Sequence, residues 1–107
     1  MTGKVVVIST FATEEDAALT VNKLVSERFI ACGTLLPGAR SIYRWQGKLQ
    51  DDREVVVLMK TDLDHWPALR DRLEELHPYE TPEILALPVS AGSPAYLAWL
   101  ERQLDEA

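Results

Sequence analysis

Cysteine is nearly absent. The single thiol, Cys32, cannot close a disulfide within the chain, so a disulfide scaffold is excluded. Positive charge is scarce too: eleven Lys plus Arg against seventeen Asp plus Glu give a net charge of −6. Wrapping a phosphate backbone or lying on an anionic membrane needs the reverse, so neither nucleic acid nor membrane is expected as a partner. Long apolar runs are missing. Val5–Ile8 is followed by polar residues and is too short for a signal-peptide core or a membrane span, which makes the cytoplasm the expected location. No G-x-S-x-G, P-loop, dinucleotide fingerprint or H-E-x-x-H occurs, so the common catalytic and nucleotide motifs are absent. Two separated histidines, His65 and His77, with one cysteine cannot furnish the usual four ligands of a structural zinc site in one chain.

What is present suits one soluble domain over residues 1–107, with 47% hydrophobic and 26% charged residues and no repeat or linker. Val5–Ile8 is a β-branched run, the pattern of a strand buried on both faces. Thr13 with Glu14, Glu15 and Asp16 reads as an N-cap and acidic first turn of a helix reaching about Glu27. Cys32–Leu36 is extended and is punctuated by Pro37-Gly38. Strand formers from Ser41 to Leu49 and again from Val55 to Met59 predict a long hairpin. It turns near Gln46-Gly47 or through a wider loop over Gln50–Arg53. Asp64 is positioned to cap a second helix with Pro67 in its first turn and Trp66, Leu69, Leu73 and Leu76 as its apolar stripe. Two prolines keep His77–Pro82 out of helix, Ile84–Val89 is a fourth strand, and Ser93-Pro94 opens a last helix. The order βαββαβ plus a C-terminal helix predicts an α+β, ferredoxin-like fold with a long hairpin. Helices on one side leave the other sheet face open, to be covered by the terminal helix or by other subunits, with oligomerisation the expected remedy.

Few residues offer chemistry. Cys32 is either a nucleophile or metal ligand, or a small buried hydrophobe. His77 shares a stiff segment with Tyr79, Glu80 and Glu83, where imidazole, phenol and carboxylate could bind a metal or move a proton. Equally, His77 could satisfy the last carbonyls of its helix. His65 is expected in solvent, Gln50–Glu54 as a solvated turn, and Arg28, Arg44, Lys48 and Lys60 line an anion site only if the fold gathers them.

Three stretches taken together, Leu35–Lys48 (LLPGARSIYRWQGK), Met59-Lys60-Thr61 and His77–Ile84 (HPYETPEI), resemble the CutA family of divalent-cation tolerance proteins. The flanks Val5–Thr10, Arg28–Cys32, Ala86–Val89 and Pro94–Leu100 resemble it as well. The resemblance implies a ferredoxin-like fold in a tight homotrimer similar to the PII signal-transduction trimers, with effectors in clefts between subunits. It also implies a link to copper(II) and other divalent cations. Cys32 and His77 fall on the family's usual cysteine and histidine and are the implied metal ligands. Lys60, Tyr79, Glu80 and Glu83 are the cleft candidates, and Tyr43 and Trp45 on the hairpin are the trimer-interface candidates. The function expected is that of a cytoplasmic homotrimer in the response to metal ions, binding a divalent cation or a small effector and not acting as an enzyme. The alternatives are a hydrolase-like enzyme with His77 as acid/base in an intersubunit cleft, or a structural trimer scaffolding a partner protein.

Overall fold

The computed structural model describes residues 1–105. Its order is β1 (Lys4–Phe11), α1 (Glu14–Ser26), β2 (Cys32–Trp45), β3 (Lys48–Asp62), α2 (Trp66–Leu76), β4 (Leu85–Pro88) and α3 (Pro94–Leu104). The strands form one antiparallel sheet ordered β2-β3-β1-β4, the ferredoxin-like arrangement expected from the element order.

Local signals place the helices. Thr13 caps α1, its hydroxyl accepting from the Asp16 N–H at 3.1 Å, and Ser93 caps α3 in the same way through the Tyr96 N–H. α1 ends in a Schellman-type closure: the Arg28 N–H reaches the Val25 carbonyl and the Phe29 N–H reaches that of Leu24. The left-handed position there is Arg28, at φ 62°, where glycine is usual. Its guanidinium donates to the Gln103 carbonyl at 2.8 Å and ties that corner to α3. Capping of α2 differs from expectation. His65, not Asp64, is the N-cap, and Asp62 Oδ1 accepts from the His65 N–H at 2.8 Å and also lies 2.7 Å from His65 Nδ1. The turn leaving β3 brings Asp62 back onto the helix start, so His65 is held there rather than free in solvent.

Burial corrects the reading of β1. Val5, Val7, Ser9 and Phe11 are buried while Val6, Ile8 and Thr10 are only partly so, an alternation that marks one covered face. Beneath α1 and α2, Val5, Val7 and Phe11 join Val55, Val57, Met59, Leu24, Ile30, Leu69 and Leu73 in the main core. Each such side chain contributes about 1.5–3 kcal/mol through removal from water. α3 lies on the other face, at the end where Lys4, Cys32 and Lys60 emerge. There Leu100 and Leu104 bury Ala31, and Lys4 approaches Glu101 at 3.6 Å. None of the helices is long and apolar enough to cross a membrane, among the described residues.

Pro37-Gly38 does not break β2. Leu36 pairs with Val56 and Ala39 with Glu54, so β2 carries one extra residue against β3. This is a bulge: Pro37 lacks an N–H to give, and Gly38 takes φ 79°. The hairpin turns at Gln46 and Gly47, φ 50° and 78°, the two positive values of a type I′ turn. Gln50–Arg53 therefore lie within β3, and the wider loop does not form.

Gly33 sets how closely α1 approaches the sheet. A Cβ there would stand 2.7 Å from Val21 Cγ1, and a β-branched helical side chain has little freedom to retreat. Gly33→Ala should destabilise the fold by about 1–3 kcal/mol in denaturant unfolding, with recovery in the Gly33→Ala/Val21→Ala double variant. Equal stability of Gly33→Ala and the parent would disprove this close approach.

Candidate functional site

The last pairing between β1 and β3 is Phe11 with Val55; beyond it β3 continues to Lys48 with β2 alone. The segment after α2 settles into the step so created. His77 carries it. Its ring is 7% exposed and stacks on Phe11, with centroids 4.2 Å apart and planes 18° from parallel. Nε2 lies 2.8 Å from the Thr10 carbonyl and therefore donates, while Nδ1 accepts the Tyr79 N–H at 3.1 Å. This network assigns the neutral Nε2–H tautomer. The last carbonyls of α2 are not what the imidazole serves; the backbone N–H of His77 meets the Leu73 carbonyl instead. Burial pushes the His77 pKa below its ordinary 6.5, partly offset by the Thr10 carbonyl and the charges of Glu54 and Asp16.

His77 thereby aims Tyr79. The phenol donates to Glu54 Oε2 at 2.7 Å, and burial followed by this carboxylate pushes the Tyr79 pKa far up, so it stays a donor. One register step outward, the Tyr43 phenol donates to Asp52 Oδ2 at 2.7 Å. On the opposite face of the arm, Arg40 grips Asp51 through two nitrogens, at 2.8 and 2.6 Å. The acidic stretch before Val55 is thus a strand with engaged carboxylates, not a solvated turn.

Between the loop and the hairpin foot lies a cleft of about 690 Å³ lined by Glu54, Tyr79, Glu80, Thr81 and Glu83 with Thr10, Ser41, Ile42, Tyr43 and Trp45. Five sequence-selected residues, Tyr43, Trp45, Tyr79, Glu80 and Glu83, are therefore brought together. Glu54 and Asp52 were missed as functional residues. Their signal was the two-residue alternation Asp52, Glu54, Val56, Leu58, which puts all four on one face.

Lys60 is not in this cleft. It sits six residues along β3 from Glu54, on the order of 20 Å away. There its ammonium lies 5.6 Å from the centre of the Tyr96 ring, and its pKa is raised chiefly by the Tyr96 phenol. Cys32 is beside it, with Sγ 3.8 Å from Tyr96 Oη, partly exposed rather than buried. Cys32 pairs through Lys60 to Val6, whereas His77 holds Thr10 at the far end of β1, so the thiol and the imidazole are separated within the chain. No group of three His, Cys, Asp or Glu close enough to hold a metal ion occurs among the described residues. With both ring nitrogens of His77 engaged, Cys32 and His77 do not fit a shared ion in one chain. The cations do not gather either: Arg28 and Lys60 serve α3, while Arg44 and Lys48 flank the hairpin turn.

Residues 5–103 match the family model described as CutA1 divalent ion tolerance protein. The chain belongs to the CutA family. Among curated relatives, the divalent-cation tolerance protein CutA of Pectobacterium atrosepticum is 48% identical over 100 residues, covering 94% of this chain and 91% of the relative. The CutA crystal structure from Xylella fastidiosa superposes with a TM-score of 0.93 at 43% identity, covering 96% of this chain and 99% of that one. A structure from Archaeoglobus fulgidus, described as a periplasmic divalent cation tolerance protein CutA, gives 0.91 at 25% identity, covering 95% and 99%. These CutA structures share the fold of this chain over nearly its whole length.

The His77 clamp makes a pH prediction. A folded-state pKa held below that of the unfolded chain means that unfolding takes up protons, so the stability contributed is complete above about pH 6.5 and is lost as the pH falls below it. Unfolding free energies measured between about pH 7.5 and 5.5 should decline in the parent and decline less in His77→Gln. An identical slope in both would place the titration elsewhere. Tyr79→Phe should lower stability by about 1–2 kcal/mol, through the lost bond to a charged acceptor.

Proposed function

We propose that this chain acts in the response to divalent metal ions as a cytoplasmic homotrimeric binding protein, with its ligand in the cleft at the hairpin foot and a neighbouring subunit completing the wall. The observation that carries this reading is the cleft itself, a concave space with three carboxylates and three aromatic rings, built on a loop that His77 locks in place. Family membership supplies the metal connection, since the relatives bear the name of divalent-cation tolerance proteins.

Assembly is supported by the second sheet face. Leu36, Leu85 and Leu87 are 47%, 58% and 45% exposed there, beside the partly exposed Val6, Ile8, Val56 and Leu58. A face of this kind is what a PII-like trimer would bury. Tyr43 and Trp45 stand beyond the sheet on the arm, placed to meet a neighbour. Because the described residues of one chain do not converge three donors, copper(II) or another divalent cation would draw on more than one chain, with Cys32 as the thiol donor. Binding is favoured over acid/base catalysis because both nitrogens of His77 are committed to the backbone.

Light scattering should return a mass near three chains, and Trp45→Ala should shift it toward smaller species; a monomeric parent would sink the intersubunit cleft. Calorimetric titration with copper(II) and zinc(II), under conditions that keep Cys32 reduced, should show saturable binding weakened in Cys32→Ala. Binding indifferent to that change would remove the thiol from the site. Cell fractionation that recovers the protein outside the cytoplasm would overturn the location.

A further inference from the structure

We propose that the cleft at the hairpin foot takes an organic cation of the aliphatic polyamine class. The inference rests on the cleft reading above and specifies what the site would hold. Three features select this chemistry.

The lining holds three carboxylates, Glu54, Glu80 and Glu83, and no Lys, Arg or His, so anionic ligands are repelled and cations are attracted into the concavity. A bare divalent ion is poorly served, because it needs several oxygens converging within coordination distance and the described residues provide no group of three. Carboxylates that cannot converge on one small ion can each meet a separate ammonium along an extended chain. The remaining walls are Tyr43, Trp45, Tyr79 and Ile42. Aromatic faces attract ammonium groups through their quadrupole, and together with Ile42 they offer methylene segments an apolar surface.

The site is also organised before a ligand arrives. Tyr79 is held on Glu54 and Tyr43 on Asp52, each at 2.7 Å, so two ring walls and one carboxylate of the lining are fixed by the same bonds. His77 fixes the Tyr79 backbone from behind. Ordering lost on binding is correspondingly small.

The test is calorimetric titration of the full chain, in its native assembly, with spermidine and with hexaamminecobalt(III), an inorganic ion of similar charge but without methylenes. A Glu80→Gln/Glu83→Gln variant, altered only at exposed side chains, is titrated alongside. Saturable spermidine binding is expected, with both hexaamminecobalt(III) and the variant weaker by about tenfold or more. Equal binding of the two ions, or equal binding by parent and variant, would overturn the proposal and reduce the effect to the protein's general negative charge. Copper(II) titrated into the same variant separates the two levels of the argument. If copper(II) binding falls while spermidine is not discriminated, the cleft remains a ligand site and the polyamine class is wrong. If neither ligand senses the variant while copper(II) binding is lost in Cys32→Ala, the ligand site lies at Cys32 and the cleft reading falls.

Discussion

β3 is paired on both edges from Val56 to Lys60 and with β2 alone from Lys48 to Glu54, because β1 ends at Phe11. This mismatch in strand length governs the rest. The doubly paired half is the core of the domain, covered by α1 and α2. The singly paired half has no third strand to support it and runs on with β2 as a two-stranded arm, an element of marginal stability in water by itself. At the step between the halves, the Thr10 carbonyl and the Phe11 ring mark where β1 stops, and His77 uses both.

The imidazole is therefore a structural part whose effect reaches the cleft. Its two nitrogens connect the end of β1 to the Tyr79 backbone, and Tyr79 passes the constraint to Glu54 on the arm. A neutral His is suited to this, since one nitrogen donates and the other accepts. Neither Lys nor Arg can accept, and a protonated imidazole would set an N–H against the Tyr79 N–H. The segment's two prolines, Pro78 and Pro82, stiffen the same loop. The cleft is thus bounded by one stiff loop and one arm, tied together at Tyr79.

The second sheet face shows a different economy. α3 covers only its Lys4–Cys32–Lys60 end, where Arg28 and the Tyr96–Lys60–Cys32 contacts hold it. Much of the rest is apolar, and both this face and the arm are understandable as surfaces shaped for something beyond the single chain. Cys32 and His77, which the family resemblance links as metal ligands, lie at opposite ends of this layout.

Much was legible in the residues alone. The element order, the Thr13 and Ser93 caps, Pro67 in the first turn of α2 and the turn at Gln46-Gly47 all rest on local chemistry, in which a side chain acts within a few residues of itself. Tyr43, Trp45, Tyr79, Glu80 and Glu83 could be selected as a set through the resemblance of their motifs. Other features were decided only by tertiary structure. Pro37-Gly38 reads locally as a break and becomes a bulge because β3 continues on the other side of it. Asp62 displaces Asp64 at the start of α2 because the turn returns it there. Glu54 looks like part of a solvated acidic run until its partner, Tyr79, arrives from 25 residues away. Sequence records the period of a strand and the chemistry of a cap, but a contact between distant segments depends on where every intervening element ends. The separation of Cys32 from His77, and the gathering of the cleft without Lys60, are consequences of that geometry.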